Sequence, residues 1–427
     1  MSMPAENASG LPSSADAVII GGGVIGVSAA LFLGRAGMRP LLLEKGRIAG
    51  EQSGRNWGWV RRMGRDPAEL PLARRALDIW DRLTQEGLET GFVRCGIAYL
   101  CPTQAEMARR LVWFERHSGE AGGDIRVLSA REAALHFPQL ARPVAGALLS
   151  PHDGRAEPER ATRALAAAAR DAGAVIMESC AAGGIETTGG QVTGVITERG
   201  RVATGLVIVA GGIWSRLLLE RAGIVIPQAA VINSVATLLP VADLPETSIG
   251  AGAYAFRRGQ NGEVILAHGR ISQVPITRQH IRFLPKYLGS YMREWRDLPP
   301  WPGLLEAPWA AAAQQGETNP APFVRQRVAD PPASARILRR ALQAAMRDFP
   351  AFAGVRMRRM HAGLIDVLPD AVPVIDAPAK PSGLVIATGF SGHGFGIGPA
   401  AGELAADLAL GRTPAVDPRP FRLSRLS

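Results

Sequence analysis

Two aspartates interrupt an apolar run at HAGLIDVLPDAVPVI, residues 361–375. Carboxylates in such a setting are candidates for paired acid–base chemistry, half a metal site, recognition of a polar substrate, or structure alone. Asp366 follows Leu364 and Ile365, whereas Asp370 stands in a Leu-Pro-Asp-Ala turn that its side chain can close. A second chemical feature is the run GGGVIG, in which Gly21, Gly23 and Gly26 fit G-x-G-x-x-G after the short apolar stretch AVII. Gly21 permits a tight turn, Gly23 lets a pyrophosphate approach the backbone, and Gly26 allows a helix to pack closely on the preceding strand. The N-terminus of such a helix offers unpaired N–H groups and a favourable dipole to phosphates. Glu44 ends the next apolar run, RPLLLEKG, with 17 residues between it and Gly26. A carboxylate at that place accepts hydrogen bonds from the ribose of a dinucleotide.

Other residues are weaker candidates. Arg61, Arg62, Arg257, Arg258 and Arg359 could each hold a carboxylate. Tyr254 could line a pocket, as could His268 and His361, while Trp57 and Trp59 flank Gly58 and could face one side of an extended segment. For each of these, a core or surface role is the competing reading.

The elements needed to position these residues can be read from pattern. AVII, the helix VIGVSAALFLGRAG and the strand RPLLLEKG form a βαβ unit. Helices are expected over 69–87 and 104–118 with a strand between them. Further on, a helix is expected to begin near Pro158, with a strand at 174–178 after it. QVTGVITE and RVATGLVIVAGG read as a hairpin-like pair leading to a glycine turn. From about 228 the texture changes: strands at AYAFRRG and GEVILAHGR precede helices near 275–297 and 335–348. The last unit is a strand, a glycine-rich turn and a helix over 383–410, with Pro399 placed near the helix start.

A chain of 427 residues exceeds what one core usually supports, and 47% hydrophobic with 20% charged residues is a globular composition. The +10 charge comes almost wholly from arginine, since Lys45, Lys286 and Lys380 are the only lysines. No long basic run with interleaved aromatics occurs, which argues against nucleic acid as a partner. Cys95, Cys101 and Cys180 have neither metal-ligand spacing nor a disulfide framework, so no metal is expected and a reducing compartment is. The lead MSMPAENASGLPSSAD reads as disordered rather than as a signal peptide, and no transmembrane run is visible; the expected location is the cytoplasm.

Five blocks in order resemble the FAD-dependent amine and amino-acid oxidoreductases related to D-amino-acid oxidase, glycine oxidase and sarcosine oxidase. They are AVIIGGGVIG…LLLEKG, GEQSGRNWGW, VATGLVIVAGGIWS, GLIDVLPDAVPVI and IATGFSGHGFGIGP, and they span most of the chain. The resemblance implies an α/β fold: a discontinuous Rossmann-like FAD-binding domain (15–95, 146–227, 351–420) and a mixed α+β substrate domain (96–145, 228–350). It implies cofactor contacts from Gly21, Gly23, Val24, Ile25, Gly26, Glu44 and Lys45, and from Ser53, Arg55, Asn56, Trp57 and Gly58. Ala182, Ala210, Gly211, Gly363, Gly392, His393, Gly394, Phe395 and Gly396 complete that set, the last turn presenting a helix N-terminus to the flavin edge.

The implied reaction is hydride loss from the carbon beside an amine nitrogen to flavin, giving an imine that hydrolyses. Asp366, His393, Arg359 and Tyr254 are the candidates for the substrate side. Relatives often place a carboxylate-binding arginine where this chain has Ile365, followed by Asp366. Asp366 therefore either favours a cationic or polar substrate or serves as a structural hydrogen-bond partner. No cysteine follows Cys180, so noncovalent FAD is expected. The expected partners are a small amine or amino-acid-like substrate and an acceptor (oxygen, quinone or another carrier), with a homo-oligomer left open. The scarcity of lysine leans toward a dehydrogenase. A 2-hydroxy-acid or alcohol dehydrogenase on the same fold, and a noncatalytic flavin-binding subunit, are the alternatives.

Overall fold

The structure, a computed structural model, describes residues 10–301 and 307–426. Its centre is a six-stranded sheet in the order Val374–Asp376, Leu384–Thr388, Val207–Val209, Ala17–Ile20, Pro40–Leu43 and Val175–Met177. All pairings are parallel except that of the first strand, which is antiparallel to its neighbour. The four inner strands are almost wholly apolar because both faces are covered. Ala17, Ile19, Leu42 and Ile208 enter a core built with the helices Val24–Arg35, Leu70–Gln85, Pro158–Asp171 and Gly394–Ala409. Val18, Leu41, Leu43, Val207 and Val209 point the other way, into a core shared with the three-stranded sheet Ala182–Thr188, Gln191–Thr197 and Gly200–Ala203. The alternation follows from the two-residue period of a strand.

An eight-stranded sheet forms the second layer system, running Met357–Val367, Ala229–Leu238, Val264–Ala267, Ala255–Arg258, Ser248–Gly250, Ile97–Cys101, Gly146–Ser150 and Arg126–Ser129. The helix Ala335–Asp348 packs on it through Leu338, Ala341 and Ala345. The longest strand, Met357–Val367, pairs antiparallel with Ala229–Leu238 and sets Asp366 opposite Ala230.

Several local expectations need correction. Residues 10–16 are ordered, not a loose lead: Leu11 is buried, and the Ser13 carbonyl and the Ala15 N–H pair with Ala203. Residues 1–9 of that lead lie outside the described residues. RVATGLVIVAGG divides, its first half closing the hairpin and Val207–Val209 entering the central sheet. The last helix starts at Gly394, so Pro399 stands inside it, where the Gly396 carbonyl accepts from the Trp80 indole N–H at 2.8 Å. The segment 307–330, read as substrate domain, inserts Ala307, Trp309, Ala310, Phe323 and Ala329 into the core of the central sheet.

Candidate active site

A cavity of about 500 Å³ lies between the two sheets. The central sheet and its loops supply Gly21–Ile25, Glu44, Lys45, Ser53, Arg55–Gly58, Ala182, Ala210 and Gly211. Gly363, Ile365, Asp366 and the turn Gly392–Gly396 border it as well. The eight-stranded sheet and its approaches add Tyr99, Arg110, Asn233, Gly250 and Arg270. Of the expected cofactor residues only Gly26 lies behind the wall.

The glycine cradle is built by contact. Gly21 has φ +117°, and a side chain on it would meet the Ala210 carbonyl; one on Gly26 would meet the Gly21 carbonyl. The helix Val24–Arg35 begins after Gly23 with no side-chain cap and no acid in its first turn; Val24 N–H is met by Ser53 Oγ at 2.9 Å. The helix Gly394–Ala409 begins after His393 in the same uncapped, acid-free way. Two helix N-termini bordering one cavity favour anions there. Glu44 accepts the Gly22 and Gly46 N–H groups at 2.7 and 2.6 Å, although burial raises its pKa against those bonds and Lys45.

A strap crosses this region. Lys45 Nζ donates to Glu51 Oε1 and the Arg327 carbonyl, both at 2.7 Å, and to the Gln326 carbonyl at 3.1 Å, and it lies 4.2 Å from the centre of the Trp214 ring. Glu51 accepts the Ala329 N–H at 2.9 Å, and Arg55 donates to the Ala329 carbonyl and to Asp330. Buried Arg216 and Arg221 donate to the carbonyls of Trp309, Ala311 and Asn319. A stretch with little regular structure is thereby fastened to the central sheet's loops by cations on its carbonyls.

Asp366 is 1% exposed, and its Oδ2 accepts from Gly389 N–H at 2.8 Å, Gln228 Nε2 at 3.0 Å and Thr388 Oγ1 at 3.4 Å. Burial pushes its pKa up to about 6, with the Gly389 bond opposing. Among the two roles left open for it, these bonds describe the structural partner. Asp370 closes its turn on the Val372 N–H and pairs with Arg425.

His393 borders the cavity, with Nδ1 3.1 Å from Glu69 Oε2. Burial, then Arg65, push its pKa down to about 4, so the ring is neutral at pH 7 and Nδ1–H donates to the carboxylate. Arg65 is buried, its Nη1 has no hydrogen-bond partner among the described residues, and burial and then Arg61 lower its pKa to about 10. Arg61, Arg110 and Arg270 line the same cavity, Arg110 3.9 Å from the centre of the Tyr99 ring and Arg270 bonded to Glu106 at 2.5 Å. Trp57 and Trp59 meet edge to face at 5.4 Å, and Trp59 lies 6.1 Å from Tyr99.

Two expected substrate-side residues stand elsewhere. Tyr254, just before the strand Ala255–Arg258, is buried in the core of the eight-stranded sheet, stacked on Phe256 and bonded to Asp348 at 2.8 Å, on the face covered by the helix Ala335–Asp348. Arg359 is exposed and lines a separate surface groove with His361. Arg62 pairs with Asp153 and Asp124, Arg257 with Glu157, and Arg258 with Glu246, so these three are structural cations. His268 Nδ1 accepts backbone N–H groups of the Arg270 turn, and Lys286 lies on a surface helix with Nζ on the Leu426 carbonyl. Sequence reasoning missed Arg65, Arg110, Arg270 and Tyr99 as cavity residues. Only Arg65, one turn beyond Arg61 in RRMGR, carried a local signal.

The profile described as "FAD dependent oxidoreductase" matches residues 16–408. N-methyl-L-tryptophan oxidase of Salmonella arizonae is 26% identical over 96% of this chain and 99% of its own length. 4-Methylaminobutanoate oxidase (formaldehyde-forming) of Paenarthrobacter nicotinovorans is 35% identical over 52% of this chain, which covers only 27% of that longer relative. The solved structure of L-amino acid deaminase from Proteus myxofaciens, in complex with anthranilate, superposes with a TM-score of 0.91 at 29% identity, covering 99% of this chain and 96% of that one. The glycine cradle, the two helix N-termini without an N-cap side chain or a first-turn acid, and the half-buried Glu44 carboxylate suit the cofactor that this family uses. The chain belongs to the FAD-dependent oxidoreductase family.

Proposed function

We propose that this protein oxidises the C–N bond of an amino-acid-like substrate that carries a carboxylate. The observation that carries this reading is the set of guanidinium groups, Arg61, Arg65, Arg110 and Arg270, on one cavity whose nearby acids, Glu69 and Glu106, are already engaged. The buried, unpartnered Nη1 of Arg65 is a donor that a carboxylate would satisfy. These arginines supply what Ile365 cannot, and they favour a carboxylate-bearing substrate over the cationic one that was an open alternative for Asp366.

Held by the glycine cradle and Glu44, FAD would supply the hydride acceptor for oxidation of the substrate carbon. The chain's own residues prepare the substrate. Guanidinium groups hold the carboxylate, and the same positive field disfavours the ammonium form of the amine, leaving the nitrogen lone pair free to form the C=N bond. Trp57, Trp59 and Tyr99 surround the site with apolar surface that limits water during the transfer. Neutral His393 donates to Glu69 and so adds no charge. The imine is released to water, where hydrolysis gives the carbonyl product.

The test is anaerobic bleaching of the flavin by amino acids, N-methyl amino acids, 2-hydroxy acids and matched amines lacking the carboxylate. Carboxylate-bearing amines should outpace their matched amines by about 10- to 100-fold, the worth of a charge-assisted contact, and Arg65→Met should narrow that gap. Equal rates within matched pairs would sink the carboxylate reading; preferential bleaching by hydroxy acids would sink C–N oxidation.

A further inference from the structure

We propose that Asp366 is a positioning residue: from behind the cavity its carboxylate joins the turns that meet the cofactor and sets the potential at which the cofactor is reduced. The proposal rests on FAD occupying the cavity and not on the substrate class.

Two separate stretches of chain converge on this carboxylate, and a third meets the backbone of the same residue. Gly389 N–H opens the turn that leads to His393 and the last helix, and it donates to Oδ2 at 2.8 Å. The Asp366 carbonyl accepts Ser391 N–H from the same turn at 2.9 Å. Gln228, 1% exposed, donates through Nε2 to Oδ2 at 3.0 Å and to the Gly212 carbonyl at 3.2 Å. Thr388, fully buried, shares its one hydroxyl proton between Oδ2 and the same Gly212 carbonyl, which lies nearer at 3.1 Å. Gln52, in the second cofactor loop, places Oε1 3.5 Å from the Asp366 N–H. Gly212, Gln52 and the Ser391–His393 turn all border the cavity. The carboxylate holds Gln228 and the Thr388–Gly389 turn directly, and through them and its own backbone Asp366 ties three cavity-lining segments together.

The chemistry of the acceptor matters as much as its geometry. Gly389 N–H, Gln228 Nε2 and Thr388 Oγ1 are neutral donors, and among the described residues no arginine or lysine is bonded to this carboxylate. An ionised group so placed opposes the addition of electrons to whatever lies in the cavity, and burial weakens its screening. An asparagine keeps the shape and one acceptor but removes the charge. It separates the two parts of the role.

Asp366→Asn and Asp366→Ala are compared with the parent holoenzyme by the flavin midpoint potential, by FAD affinity from fluorescence, and by thermal melting. Asp366→Asn should raise the midpoint potential while changing FAD affinity less than about 3-fold, the turns being still held by the amide oxygen. Asp366→Ala should raise the potential and also weaken FAD binding by about 10-fold or more, since buried donors lose their acceptor. Unchanged potential in both variants, with only melting temperature lowered, would overturn the proposal. If neither variant folds, Thr388→Val keeps the proposal testable. Its loss of one tie should speed FAD dissociation several-fold at unchanged potential, and a parental dissociation rate would overturn the positioning role. Failure of the substrate reading would show only in the bleaching screen, which these measurements do not use.

Discussion

Arg65 is a buried cation whose Nη1 finds no hydrogen-bond partner among the described residues, and a group in that state destabilises the fold unless something else meets it. Its neighbours explain the ionisation of His393. Arg65 and Arg61 repel the imidazolium, Glu69 attracts it, and burial decides the balance toward the neutral ring. The pH consequence has a definite sign. With a folded pKa near 4 against an ordinary 6.5, His393 contributes stability that is complete above pH 6.5 and is lost as pH falls toward 4. His393→Gln should flatten that part of the stability profile, measured by urea unfolding at pH 7, 5.5 and 4.5; a parental slope would show that other groups govern it. Residue roles were unevenly legible in the sequence. Asp366 was conspicuous because a charge in an apolar run must be paired, but its partners Gln228, Thr388 and Gly389 are brought together only by the fold. Arg359 and Arg65 looked alike as letters. The strand exposes one to solvent, and the loop after Trp59 buries the other.

At the scale of elements, the strap 307–330 does a job that periodicity could not reveal. It has only two short helical turns, Pro308–Ala310 and Ala321–Arg325, and its fastening is by side chains from the loop after Leu43 and from the helix Ser215–Arg221. The helices and the parallel strands were readable because apolar spacing alone specifies them. The division of RVATGLVIVAGG between two sheets was not, because both halves are equally β-forming. Nor was the start of the last helix, since the glycines 394, 396 and 398 read as a turn while tertiary contact makes them helical. If the strap seals the dinucleotide end of the cavity, Lys45→Ala should speed FAD release by about 10-fold or more, as charge-assisted bonds to two carbonyls are lost. The appearance of FAD fluorescence after dilution measures this, and an unchanged rate would mean that the strap does not gate the cofactor.

For the whole molecule, the two sheets are coupled through buried charge. Arg257 of the eight-stranded sheet, 2% exposed, holds Glu157 at 2.8 and 3.0 Å and also donates to the Trp57 carbonyl. Glu157 precedes the helix Pro158–Asp171 of the central sheet's helical layer, so the pair joins the layers as well as the cavity wall. Glu157→Leu leaves the guanidinium buried without its carboxylate and should cost roughly 3–5 kcal/mol in urea unfolding; a loss below about 1 kcal/mol would assign the coupling to apolar packing instead. The arginine-rich composition has one more consequence. The chain carries three lysines: Lys286 and Lys380 are exposed, while the Lys45 ammonium is gripped beneath the strap. An acylating reagent would modify the first two at once and Lys45 only when residues 326 and 327 lift away. The third lysine mass tag thus becomes a clock for the opening of the cofactor's cover, readable on the unmutated protein.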